Sequence, residues 1–180
     1  SSFLNFFLKN NIKFKLIKIK ESKYHGKNIG SKALKKMLIS DLILCLTSRS
    51  YAHSDERLKC EKLGKRFLSL PNYDSKLFNE KAILFPYKKF SKVAKKIQKK
   101  LDYGKKIKIF TKSGTFLIAD IKKRISNFCP GYVDKNIKLG SPPDGETNIS
   151  PNEFKSNGKI VLDGSVSLEK IGKLNSKIIL

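Results

Sequence analysis

One carboxylate, Glu146, is the residue of this sequence whose setting is best suited to chemistry. It ends the run Pro142-Pro143-Asp144-Gly145-Glu146 and begins a short extended segment. Proline fixes the backbone φ angle and glycine permits a tight turn, so we expect the glutamate to be held in a defined position. A carboxylate presented in this way can bind a metal ion or move a proton, and it can also simply end a surface turn.

Histidine, the residue type suited to proton transfer near neutral pH, occurs at two positions, His25 and His53. His53 follows a predicted buried strand and precedes a predicted helix, which places it at the carboxyl edge of an α/β sheet, where ligands bind. The alternative for His53 is a loop histidine beside a helix cap. His25 lies in a polar turn, and we expect it on the surface. No second histidine stands at metal-ligand spacing, so no complete zinc site is predicted.

Motifs of other enzyme classes are missing from the sequence. It contains no G-x-S-x-G, no phosphate-binding loop and no G-x-G-x-x-G, so serine hydrolases, phosphate-loop enzymes and simple dinucleotide binders have no local support. Cys45, Cys60 and Cys129 form no C-x-x-C pair, which fits a reducing compartment, and we expect the protein in the cytoplasm. The longest apolar run, Leu42 to Leu46, is too short to cross a bilayer, so we expect no membrane partner.

The formal net charge of +24 would by itself favour a nucleic-acid partner. However, four of the 39 basic residues are arginine, the residue that best binds phosphate and guanine. The lysines are spread from Lys9 to Lys177 instead of forming one stripe. We therefore interpret the charge mainly as a compositional bias. A non-catalytic basic module that binds RNA or DNA remains the less favoured alternative.

The elements expected to position His53 are those of an α/β sheet. Apolar residues alternate with lysines over residues 12–20, which is typical of a strand with one buried face. A strand, a helix and another strand then follow in succession, and this order predicts a parallel sheet. The predicted elements are a helix over Ser31–Ile39, a strand over Asp41–Leu46 buried on both faces, a helix from Ser54 to Leu63 that stops at Gly64, and a strand over Lys65–Leu70.

Glu146 is expected in a later, β-rich part of the chain. We place a domain boundary near Gly104, so that residues 1–104 form an α/β N-terminal domain and residues 105–180 the truncated, β-rich start of a catalytic domain. The predicted fold class is α/β, with an open, mostly parallel sheet and flanking helices followed by an incomplete β-rich domain. The remaining predicted elements are helices over Ser75–Lys81 and Tyr87–Leu101, a hairpin of Lys106–Thr111 and Thr115–Ile121, and strands over Thr147–Ser150 and Lys159–Leu162.

Four groups of residues follow one another in an order that is more specific than any single motif. They are Thr47, Ser50, His53, Arg57, Gly64, Arg66, Leu70 and Pro71; Gly114, Thr115 and Leu117; Pro143, Gly145, Glu146, Ser150 and Pro151; and Gly158, Asp163, Gly164 and Ser165. From about Asp41 to Leu180 this order resembles the M29-type metallo-aminopeptidases of the leucyl aminopeptidase and aminopeptidase T type. That family is taken here to include the related 2,5-dihydroxypyridine 5,6-dioxygenases.

The resemblance implies one of two chemistries. In the peptidase branch, Glu146 corresponds to a ligand of a two-metal centre of Zn, Co or Mn, which lowers the pKa of a bridging water that attacks a peptide carbonyl. In the dioxygenase branch the metal is Fe(II), the substrate is a small aromatic ring, and His53 corresponds to an acid or base that contacts the substrate. His53 is thus the expected catalytic residue and Glu146 the expected metal ligand.

From this resemblance we expect a fragment of a metal-dependent, aminopeptidase-like hydrolase that releases N-terminal residues from peptides. The alternative is a fragment of an iron-dependent, ring-cleaving dioxygenase. The family's remaining metal ligands are expected beyond Leu180, so we expect the 180 residues to be inactive by themselves. The sequence leaves open whether the intact protein forms a homodimer.

Overall fold

The structure is a computed structural model that describes residues 2–166, 172–173 and 178–179. Contacts between Cα positions divide the chain into two units, which first separate after Phe85. The predicted domain boundary near Gly104 stays a prediction. The first unit consists of Ser1–Phe85 and Tyr132–Pro143, and the second of Pro86–Gly131 and Asp144–Leu180.

Helices dominate the first half of the chain and short strands the second, so the predicted mixed α/β class is confirmed. The helices are α1 (Ser2–Lys9), α2 (Ser31–Met37), α3 (Asp55–Lys62), α4 (Ser75–Phe78), a 3-10 helix (Lys81–Leu84) and α5 (Tyr87–Tyr103). The strands are β1 (Leu42–Thr47), β2 (Arg66–Pro71), β3 (Lys106–Phe110), β4 (Phe116–Asp120), β5 (Asn127–Cys129), β6 (Leu139–Gly140), β7 (Glu146–Asn148), β8 (Ser156–Lys159), β9 (Val161–Leu162), β10 (Ser165–Val166), β11 (Gly172–Lys173) and β12 (Ile178–Ile179).

A parallel sheet with the strand order β1-β2-β6 organises the first unit. Leu44 of β1 is paired with Leu68 of β2, and Leu68 is paired in turn with Gly140 of β6. The parallel pairing of β1 and β2 confirms the predicted strand, helix, strand order. The core beside this sheet is formed by Ala33, Met37, Cys45, Tyr51, Cys60 and Phe67.

Helix α3 begins and ends where the sequence predicts. The Ser54 side chain accepts a hydrogen bond from the Arg57 backbone N–H, which caps the first turn. Gly64 has a φ angle of +73°, the left-handed conformation that commonly follows the last turn of a helix. Cys60 on this helix is fully buried and packs in the core.

Two expectations about strands are wrong. Residues 12–20 form no strand, because no neighbouring strand pairs with them in the described part of the chain, and Leu16 is 68% exposed. Strand β1 is not buried on both faces, since Leu42 and Leu46 are 40% and 43% exposed. In the described sheet β1 is an edge strand whose one neighbour is β2, so part of its apolar surface stays uncovered.

The second unit contains antiparallel strands and the long helix α5. The predicted hairpin is confirmed: β3 pairs with β4 around a turn in which Gly114 has a φ angle of +104°, and β8 adds to the other edge of β4. β5 pairs with β7, and the Thr147 hydroxyl donates to the carbonyl of Ala94 on α5 at 3.3 Å. Among the described helices, none is long and apolar enough to cross a membrane.

The close approach of β4 and β8 predicts a stability effect at Gly158. Its φ angle is +130°, and a Cβ added there would lie 1.9 Å from the carbonyl oxygen of Phe116. We expect Gly158→Ala to lower the free energy of unfolding by about 2 kcal/mol or more, because the strands must separate to admit the methyl group. Urea denaturation followed by circular dichroism measures this in a chain without tryptophan.

Gly164→Ala is the matched control, since among the described residues no atom other than those of its chain neighbours lies within 4 Å of a Cβ added there. Its effect should stay within about 1 kcal/mol. Equal and small effects of both substitutions would contradict the described pairing of β4 with β8.

Candidate functional site

The carboxyl ends of β1 and β2 form the base of the candidate site. The loop of residues 48–54, which we call the site loop, leaves β1 after Thr47 and leads into α3. The Thr47 hydroxyl donates to the carbonyl of Arg49 at 2.7 Å, and the Asn72 N–H beyond β2 donates to the carbonyl of Thr47 at 2.8 Å. The beginning of the site loop is therefore fixed to the ends of both strands.

Ser50 joins the site loop to the interior of the sheet. Its hydroxyl is hydrogen-bonded to the hydroxyl of Ser69 at 3.1 Å and accepts the N–H of Ala52 at 3.2 Å. Ser69 lies on β2 and is 1% exposed, so the Ser69 side of this contact is shielded from water. Because an unpaired buried hydroxyl is costly, the pair fixes the site loop against β2.

A second segment, residues 22–30, crosses the site loop, and we call it the strap. The Ser50 N–H donates to Nδ1 of His25 at 3.1 Å, and the Gly26 N–H donates to the Ser50 carbonyl at 2.8 Å. At the far end of the strap, the Gly30 N–H donates to a carboxylate oxygen of Glu56 on α3 at 3.1 Å. The expectation that His25 is exposed is confirmed, but the contact of its ring nitrogen was missed.

His53 lies in the site loop between the buried residues Ala52 and Ser54, and it is itself exposed. A Cβ added at Gly26 would lie 3.7 Å from the Cβ of His53. The two histidines of the chain, which stand 28 positions apart (53 minus 25), are thus brought to the same loop. Sequence reasoning placed His53 correctly after β1 but gave no signal for the approach of the strap.

Two buried groups near the site stay uncharged at neutral pH. Burial raises the pKa of the Tyr51 phenol, and Cys45 and Glu21 raise it further, while a hydrogen bond with Ser22 partly opposes them. Burial also raises the pKa of the Cys45 thiol, although its contact with the Thr47 hydroxyl opposes the rise. Neither a phenolate nor a thiolate is therefore expected at the base of the site.

Glu56 is a buried carboxylate that supports the strap. Burial alone would raise the pKa of Glu56, but hydrogen bonds from the backbone N–H groups of Ile29, Glu56 and Gly30, together with the charge of Lys59, outweigh it and lower the pKa. Its Oε2 atom is buried with no hydrogen-bond partner among the described residues. A charged Glu56 therefore holds the end of the strap from inside the fold.

A cleft of about 690 Å³ runs along β1. Its walls include residues 15–21, the apolar side of α2 and the whole of β1, and it reaches Thr47, Ser48 and Tyr51 at the start of the site loop. Neither histidine lines it. The cleft therefore approaches the site loop from the sheet and offers an apolar surface beside it.

Glu146 lies in the second unit, so the structure places the two predicted site residues in different units. It is the first residue of β7, which confirms the predicted extended segment, and its side chain is exposed. One carboxylate oxygen accepts a hydrogen bond from the Asn148 side chain at 3.0 Å. A Cβ added at Gly145 would lie 2.9 Å from the ring of Phe90, so this glycine is needed for packing.

The donor set does not make a complete metal site in the part of the chain that the structure describes. No three His, Cys, Asp or Glu side chains converge there. Glu146 offers one oxygen donor, whereas a catalytic ion is typically held by three or more protein ligands. The described residues alone thus do not fit a bound catalytic metal, and we derive no chemical step through one.

Comparison with known proteins links the chain to one family. The family model described as 2,5-dihydroxypyridine 5,6-dioxygenase matches residues 10–177. The chain is also similar to the solved structure of 2,5-dihydroxypyridine dioxygenase from Pseudomonas putida KT2440, with a TM-score of 0.59 and 22% sequence identity. That alignment covers 73% of this chain and 36% of the other, so the chain spans about a third of its length. No curated protein sequence matches.

The charge on Glu56 predicts a pH-dependent contribution to stability. A carboxyl whose pKa is lowered by folding stabilises the fold above its unfolded pKa of about 4.3 and loses that contribution as the pH falls through the folded value. Near pH 7 we expect the free energy of unfolding of Glu56→Gln to be about 1–2 kcal/mol lower than that of the wild type. The difference should shrink as the pH falls from about 4.3 through the lower folded pKa, below which both proteins carry a neutral side chain.

Glu80→Gln removes the same charge from an exposed side chain that makes no capping hydrogen bond, so it serves as the control. Urea denaturation of all three proteins across the pH range gives the comparison. A stability loss in Glu56→Gln that stays constant from neutral to acidic pH would show that the carboxylate charge is not the cause.

Proposed function

Because the chain belongs to the family of 2,5-dihydroxypyridine 5,6-dioxygenases, we propose that it is part of a dioxygenase that cleaves a small, hydroxylated aromatic ring. The observation that carries the proposal is the family match, which extends over residues 10–177. The structural similarity supports the fold alone. Since the chain spans 36% of the similar structure, the activity of a whole enzyme is part of the proposal.

The expectation of a metallo-aminopeptidase is wrong. The matched family is a dioxygenase family, and the likeness to a solved dioxygenase structure agrees with it. Hydrolase, aminopeptidase and metalloprotease chemistry and a peptide substrate are therefore withdrawn. We therefore assign the motifs around His53 and Glu146 to the dioxygenase branch of the resemblance, as part of the proposal.

His53 is the residue that we propose to contact the ring. A neutral imidazole can accept the proton of a ring hydroxyl, and the resulting oxyanion makes the ring more electron-rich and more reactive toward oxygen. Its setting supports this role, since it is exposed in a loop that is fixed to the carboxyl end of a parallel sheet. The rigid base limits the number of positions that the imidazole can take.

The charge of the site loop suits a substrate that becomes anionic. Between Thr47 and Ser54 the sequence holds one charged residue, Arg49, and no carboxylate. A ring oxyanion beside His53 therefore meets no like charge from this loop, whose one charged side chain is a cation. A neutral ring with an ionisable hydroxyl is thus better suited to this loop than a cation.

A dioxygenase of this family implies a metal cofactor, for which we propose iron. When bound, iron would supply the activation of O2. We propose Glu146 as one carboxylate ligand, in line with its exposure and its fixed position at the start of β7. The incomplete donor set supports our expectation that added Fe(II) gives no turnover with these 180 residues alone.

Ring binding without turnover tests the proposed function. We expect the chain to bind 2,5-dihydroxypyridine under argon, as measured by titration calorimetry, because the contact at His53 does not require a complete metal site. His53→Ala should weaken binding about tenfold or more, since it removes the ring nitrogen that accepts the proton. Asp55→Asn, an exposed neighbour at the start of α3, is the control and should bind like the wild type.

Leucinamide, a minimal aminopeptidase ligand, completes the experiment and should not bind. No measurable binding of the ring, or equal affinity for the ring and leucinamide, would contradict the proposed function.

A further inference from the structure

We propose that His25 is a positioning residue that fixes the site loop and thereby the imidazole of His53. The proposal rests on the proposed function only in giving His53 a role at the ring. Its structural basis is a pair of opposed hydrogen bonds: Ser50 donates its N–H to His25 at 3.1 Å, and Gly26 donates its N–H to the Ser50 carbonyl at 2.8 Å. Both backbone groups of Ser50 are thus held by two consecutive residues of the strap.

The first of these bonds determines the state of the His25 ring. A backbone N–H can only donate, so Nδ1 must carry a lone pair and the proton of the neutral ring must be on Nε2. Nε2 has no hydrogen-bond partner among the described residues, and the ring is exposed. Nothing in the described part of the chain competes with Ser50 for the ring.

The strap is itself held in place, so it can act as a support. The Ser22 hydroxyl donates to the Tyr24 carbonyl at 2.8 Å, and the Tyr24 N–H donates back to the Ser22 hydroxyl at 3.1 Å. At the other end, the Gly30 N–H is bonded to the buried carboxylate of Glu56. His25 therefore lies between a local turn at Ser22 and Tyr24 and the end of the strap that is bonded to α3.

Gly26 turns the strap directly after the two contacts with Ser50. Its φ angle of +71° is unfavourable for residues with a side chain and sets the direction in which the strap continues. An added Cβ would lie 3.7 Å from the Cβ of His53, an ordinary contact distance. The glycine is thus required by its backbone angle, and the strap passes close beside His53.

The consequence for His53 follows from its position three residues after Ser50. The Ser50 hydroxyl anchors the site loop to β2 and the Thr47 hydroxyl holds the Arg49 carbonyl, but neither bonds the Ser50 N–H or carbonyl directly. The strap supplies the bonds to these two groups. Losing the His25 contact should therefore let His53 sample more orientations without unfolding the chain.

The test uses the chain labelled with 15N in its histidine rings at about pH 8. The chain has two histidines, so each variant at His25 retains one, and its histidine ring signals come from His53. We expect His25→Ala to shift and broaden those signals and His25→Asn to restore them, because the asparagine Oδ1 can replace Nδ1 as acceptor. Lys23→Ala, on the same strap, is the control, and it should change neither the position nor the width of the His53 signals.

Amide hydrogen exchange at Ser50 gives a second readout. We expect exchange about tenfold faster in His25→Ala and within about threefold of the wild type in His25→Asn, corresponding to the loss and recovery of one hydrogen bond. Affinity for 2,5-dihydroxypyridine should fall by about three- to tenfold in His25→Ala and recover in His25→Asn.

Unchanged His53 signals in a folded His25→Ala chain would overturn the proposal, and so would the absence of rescue by His25→Asn. If the wild type does not bind the ring, the proposed function fails, but the signals of His53 and the exchange of Ser50 still decide the role of His25. Circular dichroism shows whether each variant is folded. If His25→Ala unfolds, the comparison of His25→Asn with the wild type decides: altered His53 signals overturn the proposal and retained signals support it.

Discussion

The four hydrogen bonds around Ser50 are the constraint on which the candidate site depends. The hydroxyl bonds to Ser69 inside the sheet and to the N–H of Ala52 within its own loop, while the backbone N–H and carbonyl bond to the strap. One residue thereby joins a buried strand, the site loop and a distant segment of the chain. Since Ser69 is buried, breaking its contact with Ser50 would leave a hydroxyl unpaired inside the protein.

This arrangement explains how an exposed histidine can have a defined position. His53 has little packing of its own, but its neighbours Ala52 and Ser54 are buried, and Ser54 also caps α3. The loop is therefore fixed at Ser50 before the histidine and at the helix cap after it. A side chain held from both sides loses less conformational freedom when it meets a ligand, which is the advantage of a preorganised site.

The sequence was informative where local rules decide the structure. Ser54 and Gly64 predicted the limits of α3, and the apolar runs before and after that helix predicted β1 and β2. The alternation of apolar residues and lysines over residues 12–20 led to the wrong prediction of a strand, because a strand also needs a partner with free backbone groups. Strand β6 is two residues long and carries no recognisable pattern of its own. The contact of His25 with Ser50 joins positions 25 residues apart, and no local propensity signals such a contact.

The location of the bound ring tests the central claim most directly. Nuclear Overhauser effects between the protons of 2,5-dihydroxypyridine and the chain, recorded under argon, report which side chains lie beside the ligand. Our account predicts contacts with the imidazole protons of His53. Contacts confined to the apolar cleft along β1, for example to Met37 and Leu44, would contradict it, because the ring would then bind away from its proposed proton acceptor.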